Sequence, residues 1–156
     1  MLRSRELRLD EFLPYRLSIT SNLVSDHIAS AYQQLFGLPI PEWRMIAIVA
    51  EEGAVAQSAV CERSRMDKVT VSRAAIAMVG RGLLDRTAHD GDRRSHLLVL
   101  TNAGRELYAD VAPKALELEA QLFAGFTQDE LEAFVTMLHR IDAVALAQRD
   151  QPRIVR

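Results

Sequence analysis

The chain has 156 residues, 49% of them hydrophobic, and a formal net charge of −2 at neutral pH. This size allows one domain with a real core, and the apolar runs are far shorter than the ~20 residues that cross a membrane. Residues 1–10 lack the apolar stretch of a signal peptide, and the single cysteine, Cys61, excludes an internal disulfide. We therefore expect a cytoplasmic protein.

Nothing in the sequence indicates catalysis. A Gly-rich phosphate loop and a nucleophile elbow are both missing, and the carboxylate pair Glu51 and Glu52 is expected to be solvated. We expect neither an enzyme nor a cofactor. We also expect no metal site, because the histidines are scattered without a second ligand at metal spacing: His27, His89, His96 and His139.

Positive charge is concentrated in one segment. Residues 62–96 have a balance of +3, while the rest of the chain has −5. A basic module within an acidic chain is the expected footprint of phosphate contact by one lobe. Chance clustering of solvated charges is the alternative.

Apolar periodicity predicts four helices in the first half of the chain. Gly37 and Gly53 are expected to end the first and second helices. Ser64 and Asp67 resemble a capping box at the start of the fourth helix. The predicted helices span residues 12–36, 41–52, 56–63 and 67–79.

Two strands and two long helices are predicted in the second half. The strands, 83–87 and 96–100, flank a turn at residues 89–92. Thr101 caps a fifth helix, which Pro113 should bend or break, and Thr127 with Glu130 forms a capping box for the sixth helix. The fold class is therefore mostly α (α+β), in the order α-α-α-α-β-β-α-α.

The fourth helix has two different faces, and Gly82 follows it as the left-handed stop. Its buried face is expected to carry Val71, Ala74, Ala75 and Met78. Lys68, Val69, Ser72, Arg73 and Ile76 lie on the other side. The first, fifth and sixth helices have apolar stripes that a small core cannot cover, so a two-fold symmetric homodimer is expected.

The chain resembles the MarR family of winged helix-turn-helix transcription regulators. The resemblance runs from about Leu13 to Leu146 and rests on several short motifs in order. The motifs are Tyr15-Arg16-Leu17, Phe36-Gly37-Leu38, Glu42-Trp43-Arg44, Asp67 to Arg73, Arg81-Gly82-Leu83, Asp92 to Ser95, and Leu100 to Arg105.

This resemblance implies a single domain over residues 1–156. Residues 38–101 would form the winged-helix DNA-binding lobe, and residues 12–36 and 102–149 the dimerisation helices. The homodimer would bind a pseudo-palindromic operator on double-stranded DNA, most simply as a repressor, with the fourth helices in major grooves ~34 Å apart.

Each DNA-binding residue then has an expected role. Lys68 and Arg73 suit phosphate or guanine, because a guanidinium fork fits O6 and N7 of guanine. Thr70 and Ser72 are short donors, and Val69 can meet a thymine methyl group. The alternative for each residue is an ordinary exposed helix position.

The wing is expected to contact DNA through Asp92, Arg93 and Arg94. One arginine would enter a narrow minor groove and the other would contact phosphate, while Asp92 would hold an arginine in position. The family resemblance favours Arg94 for the groove, although the residues alone do not separate it from Arg93. A solvated hairpin turn is the alternative.

The resemblance further implies release from DNA by a small anionic aromatic ligand. Arg16 suits its carboxylate, and Trp43, His27 and Met45 could provide walls. The alternatives are a structural ion pair across the dimer for Arg16, core packing for Trp43 and simple exposure for His27. Cys61 is expected to be a buried packing residue, with a thiol-based redox switch as the alternative. A further alternative is a winged helix that binds protein instead of DNA.

Overall fold

The computed structural model describes residues 6–89 and 91–150, and within the wing the side chains of residue 89 and residues 92–95 lie outside that description. The predicted order of helices and strands is confirmed, with a short 3-10 helix, Leu9–Glu11, and one further strand added. The helices are α1 (Leu13–Phe36), α2 (Ile40–Glu52), α3 (Gln57–Ser64), α4 (Lys68–Gly80), α5 (Asn102–Leu122) and α6 (Gln128–Arg149). The strands are β1 (Ala54–Ala56), β2 (Leu84–His89) and β3 (Asp92–Leu100).

The strands form an antiparallel sheet in the order β1-β3-β2. The prediction missed β1, because three residues are too few to show an alternating pattern, and it is recognisable only through its pairing of Ala54 with Val99 and of Ala56 with Leu97. The β2–β3 hairpin is the wing. Its second strand begins at Asp92, earlier than predicted, so the hairpin pairing extends further towards the tip.

The capping prediction at the start of α4 was wrong in its residues. Ser64 does not cap α4: its hydroxyl donates to the carbonyl of Val60 at 2.6 Å and accepts the backbone N–H of Met66 at 3.2 Å. Asp67 is the N-cap of α4, and its carboxylate accepts the backbone N–H of Thr70. A side chain four residues from a carbonyl in its own helix can turn back to it, which is why a spacing rule alone misassigned Ser64.

The first compact unit comprises residues 1–115, of which residues 1–5 and 90 are outside the description. Its core lies where α2 and α4 pack with the sheet. The expected buried face of α4 is confirmed, since its four residues are at most 4% exposed. The other fully buried large side chains of this unit are Leu38, Met45, Ile46, Val49, Val60, Leu84, Leu98 and Val111.

The second compact unit begins at Leu116, within α5. The helix α5 continues through Pro113 without the break that was one of two expected outcomes, and it ends at Leu122. The Thr127–Glu130 capping box at the start of α6 is confirmed, with both of its reciprocal hydrogen bonds present. In the described part of the chain, none of the helices is both long and apolar enough to span a membrane.

Candidate nucleic-acid interface

The exposed face of α4 is the most distinctive surface of the first unit. Val69 and Ile76 are 59% and 62% exposed, and being two helical turns apart they project in the same direction. Arg73 lies between them and is exposed, while Ser72 beside it is half-buried. Because the opposite face is fixed in the core, these side chains are presented to the outside on a rigid support.

The N-terminus of α4 is held by Asp67 and Thr70. The Asp67 carboxylate accepts both the backbone N–H and the hydroxyl of Thr70, each at 2.8 Å. These hydrogen bonds, first that of the backbone N–H and then that of the hydroxyl, lower the pKa of Asp67. Because the Thr70 hydroxyl hydrogen is already donated, Thr70 in this arrangement cannot donate to a phosphate oxygen, and its evident role is to fix the start of α4.

Two arginines form ion pairs that connect the helices around α4. Arg81, directly after α4, donates to Glu42 in the first turn of α2 at 3.0 Å. Arg63 near the end of α3 pairs with both Glu51 and Glu52 at the end of α2, and the hydrogen bond to Glu51 is the main reason that the pKa of Arg63 is raised. The Glu51 and Glu52 carboxylates thus form ion pairs with Arg63 and are not simply solvated, as was expected.

The start of α5 is bonded to the segment that links α4 to the wing. The Thr101 hydroxyl donates to the carbonyl of Gly82 at 2.7 Å and accepts the N–H of Gly104 at 3.0 Å. Gly82 has the predicted left-handed φ, at 72°. Arg105 donates to the carbonyl of Leu100 at 2.9 Å. These hydrogen bonds explain why the residues from Leu100 to Arg105 follow the family motif.

Arg65 lies in the turn between α3 and α4, and the sequence analysis did not single it out. Its φ of 59° is the only positive φ of a non-glycine residue in the described part of the chain. Its side chain is exposed and has no ion pair or hydrogen bond with any described residue. A charged side chain in a backbone conformation that favours glycine marks Arg65 as a candidate functional residue. The sequence does not show this conformation; only the backbone angles do.

The wing brings a further arginine to this lobe. Arg86 is exposed on β2 and pairs in register with Leu98 of β3. The backbone of Asp92, Arg93 and Arg94 lies in β3. The side chains of these three residues are outside the described part of the structure, so their proposed DNA contacts stay predictions.

The fold agrees with the comparisons to known proteins. A sequence profile described as "MarR family" matches residues 36–95, which include α4 and most of the wing. Over these residues the chain matches the MarR family. Among curated proteins, the chain is similar to the transcriptional regulator HosA of Escherichia coli O157:H7, with 24% identity over 119 residues that cover 76% of the chain and 88% of HosA.

Solved structures of MarR-family regulators share the fold. A MarR/EmrR family regulator from Acinetobacter sp. ADP1 has a TM-score of 0.83 at 24% identity, covering 89% of this chain and 98% of its own. Sco3205 from Streptomyces coelicolor, solved in complex with DNA, has a TM-score of 0.79 at 20% identity, covering 98% and 95%. BpsR of Bordetella bronchiseptica, whose DNA binding is regulated by 6-hydroxynicotinic acid, has a TM-score of 0.69 at 22% identity, covering 81% of this chain and 98% of its own.

The chain therefore has the winged-helix fold of these regulators. The structure presents four of its predicted DNA-contacting residues along one side of α4 or at its start: Lys68, Val69, Ser72 and Arg73.

The predicted ligand-binding residues are not brought into one cluster within the chain. Arg16 and His27 are exposed on α1, and eleven residues of helix separate them by about 16 Å. Trp43 instead contacts Tyr32 edge-on at 5.3 Å and stacks on Tyr108 at 5.9 Å between ring centroids. This aromatic cluster was not predicted from the sequence, because its members come from three helices and Tyr108 lies far along the chain from the other two.

Two smaller expectations change. Met45 is fully buried in the core, so it cannot form a wall of a ligand site. Cys61 is partly exposed, not buried as expected.

Tyr32 of the aromatic cluster is 2% exposed, and this burial raises the pKa of its phenol.

Proposed function

We propose that this chain is a repressor that binds a pseudo-palindromic operator as a homodimer and is released by a small anionic aromatic ligand. The observation that carries the proposal is the exposed face of α4, where Arg73 lies between two aliphatic side chains on a helix fixed by the core. A helix with one rigid, exposed, partly basic face suits the major groove. Such a regulator acts where the DNA is, so we propose a cytoplasmic location and no enzymatic activity.

The proposed division of roles follows the chemistry of the side chains. Arg73 and Ser72 would contact base edges and Lys68 a phosphate. Thr70 would contribute through the N-cap of α4 instead of donating to DNA. In the wing, Arg94 would enter the minor groove, Arg93 would contact a phosphate, and Asp92 would orient an arginine.

Homodimer formation is supported by the second unit considered by itself. Several large apolar side chains there are 39–66% exposed, and the end of α5 and α6 border a groove of about 1020 Å³. Leaving such a surface in water is unfavourable, and a second copy would cover it. The exposed residues are Leu116, Phe126, Phe134, Val135, Met137, Ile141, Val144 and Leu146.

A negative charge in this apolar surface should dissociate the dimer. We expect Ile141→Glu, at a position 45% exposed on α6, to shift the protein towards monomer in analytical ultracentrifugation and to weaken operator binding at least ~10-fold, because a buried unpaired carboxylate opposes association. The matched control is Ala143→Glu, two residues away on the opposite side of α6. A dimer that survives Ile141→Glu unchanged would contradict the proposed interface.

The ligand proposal concerns Arg16, His27 and Trp43. Arg16 would pair with a carboxylate, and Trp43, with its ring in the aromatic cluster, would provide a flat apolar wall. Because Arg16 and His27 are about 16 Å apart in one chain, a small ligand that reaches both would have to lie between residues of two copies. The 6-hydroxynicotinic acid associated with BpsR is an aromatic acid of the proposed class.

Selection of binding sites from random duplex DNA tests the proposal as a whole. We expect a two-fold symmetric consensus whose half-sites are centred about 34 Å apart. Enrichment of an unrelated single site, or no enrichment at low salt, would count against an operator-binding homodimer. Reporter transcription that falls when the protein is present would support repression.

Arg65→Gly should change stability and DNA binding in opposite directions. Glycine adopts the left-handed conformation at this turn without a steric penalty, so the melting temperature should rise by a few degrees. If the Arg65 side chain contacts a phosphate, operator affinity should fall roughly 3- to 10-fold and become less salt-dependent. Arg65→Lys is the control that keeps the charge, and a variant that is stabilised with unchanged affinity would limit Arg65 to a structural role.

A further inference from the structure

Two exposed aliphatic residues on α4 have no role in the fold. Val69 is 59% and Ile76 62% exposed, whereas Val71, Ala74 and Met78 on the same helix are at most 4% exposed. The core is therefore already complete without Val69 and Ile76. Large aliphatic side chains on the outward side of a rigid helix suit a surface that offers apolar groups at matching positions.

The spacing of Val69 and Ile76 defines what they can reach together. Seven residues make almost two full turns, so the side chains project in nearly the same direction and lie about 10 Å apart along the helix axis. Arg73 is exposed between them. Val69, Arg73 and Ile76 thus form the outward line of α4, in which a cationic side chain lies between two aliphatic ones. The three side chains would meet different base pairs if the helix lay in a major groove.

The major groove offers one kind of apolar group, the C5-methyl of thymine. We propose that Val69 and Ile76 read thymine methyl groups at two positions of each half-site, on either side of a position contacted by Arg73. This inference rests on the proposed function and specifies its operator: each half-site has two thymines as specificity determinants. Either residue is too apolar to select guanine or cytosine by hydrogen bonding.

The charge on the same line favours DNA over an apolar protein surface as the occupant. A protein groove that buried Val69 and Ile76 would also have to bury the Arg73 guanidinium between them, which requires a matching carboxylate. A DNA groove has thymine methyl groups beside guanine acceptors and phosphates, so all three side chains find partners there.

The test uses the full-length protein and the operator obtained by selection, with deoxyuridine replacing single thymines. Deoxyuridine removes only the methyl group and keeps the base pairing. At each of the two predicted thymines we expect about 3- to 5-fold weaker binding per methyl group removed, and roughly the square of that factor when both half-sites are changed. Thymines outside the half-sites serve as the matched control and should be silent.

Variants of the protein identify which residue reads which methyl group. With Val69→Ala, deoxyuridine at one of the two thymines should no longer weaken binding. With Ile76→Ala, deoxyuridine at the other thymine should no longer weaken binding. Both residues are exposed, so folding should be retained, and an unchanged melting temperature checks it. Val69→Thr keeps the shape and one methyl group and should retain part of the discrimination.

The outcomes separate this inference from the proposed function. Tight binding to a selected palindrome that no deoxyuridine weakens would overturn the thymine reading and leave the operator-binding homodimer intact. Methyl effects that persist unchanged in both alanine variants would also overturn it, because another residue would then read the methyl groups. Absence of any selected site would overturn both proposals.

Discussion

Gly104→Ala is expected to destabilise the protein by about 3 kcal/mol and to lower its melting temperature by roughly 10 °C. A Cβ atom at this position would lie 2.1 Å from the carbonyl oxygen of Leu83, which is a backbone atom and cannot rotate away. The same carbonyl accepts the N–H of Thr101 at 3.2 Å. The added methyl group must therefore push the start of α5 away from the segment between α4 and the wing.

The control for this substitution is Gly80→Ala. Gly80 is the last residue of α4, its φ is not positive, and a Cβ there would meet no atom within 4 Å. Because alanine is the better helix former, this variant should be neutral or slightly stabilised. Thermal unfolding followed by circular dichroism compares the two. If Gly104→Ala were as stable as Gly80→Ala, the close approach at Leu83 would be wrong.

The Gly104 contact also shows where sequence reasoning reached its limit. The run Leu100 to Arg105 was identified as a family motif, but its purpose depends on the carbonyl groups of Gly82 and Leu83, about twenty residues earlier. Periodicity reports which face of one element is apolar. It carries no information on which distant backbone atom that element approaches.

Most features that depend only on residues close together in the chain were predicted correctly. The buried face of α4 followed from apolar spacing at 3.6 residues per turn, and the Thr127–Glu130 box followed from two reciprocal hydrogen bonds within four residues. Ser64 was misassigned because its hydroxyl both donates to the carbonyl of Val60 and accepts the N–H of Met66, and the spacing to Asp67 does not reveal these two hydrogen bonds. The three-residue strand β1 was missed because its pairing partner is more than forty residues away.

The sequence predicted most residues of the candidate site, but it did not predict the role of each residue. Val69, Ser72 and Arg73 were named as DNA contacts from the sequence, and Ile76 was placed on the same side of α4 without a role. The structure shows that both Val69 and Ile76 are exposed there. Thr70 was named as a DNA contact, yet its hydroxyl is donated to Asp67. Arg65 was not named, because a left-handed arginine is visible only in the backbone.

Arg73→Ala is expected to weaken operator binding at least about 30-fold, because the homodimer would lose two guanine contacts that each contribute roughly 1–3 kcal/mol. Arg73 is exposed between Val69 and Ile76 on the outward line of α4, so its guanidinium faces base edges in a groove that holds this helix. Fluorescence anisotropy with the selected operator measures the loss. Specificity at one position of each half-site should relax.

Two further variants decide what the lost interaction was. Arg149→Ala removes the same charge from the last turn of α6 and should leave affinity nearly unchanged if the effect belongs to α4. Arg73→Lys keeps the charge without the planar fork, so it should restore affinity for random DNA but not discrimination at the guanine. If Arg73→Ala instead weakened binding equally on all sequences and reduced the dependence of log affinity on log salt by about two, Arg73 would contact phosphate, because two released counterions per dimer give that slope.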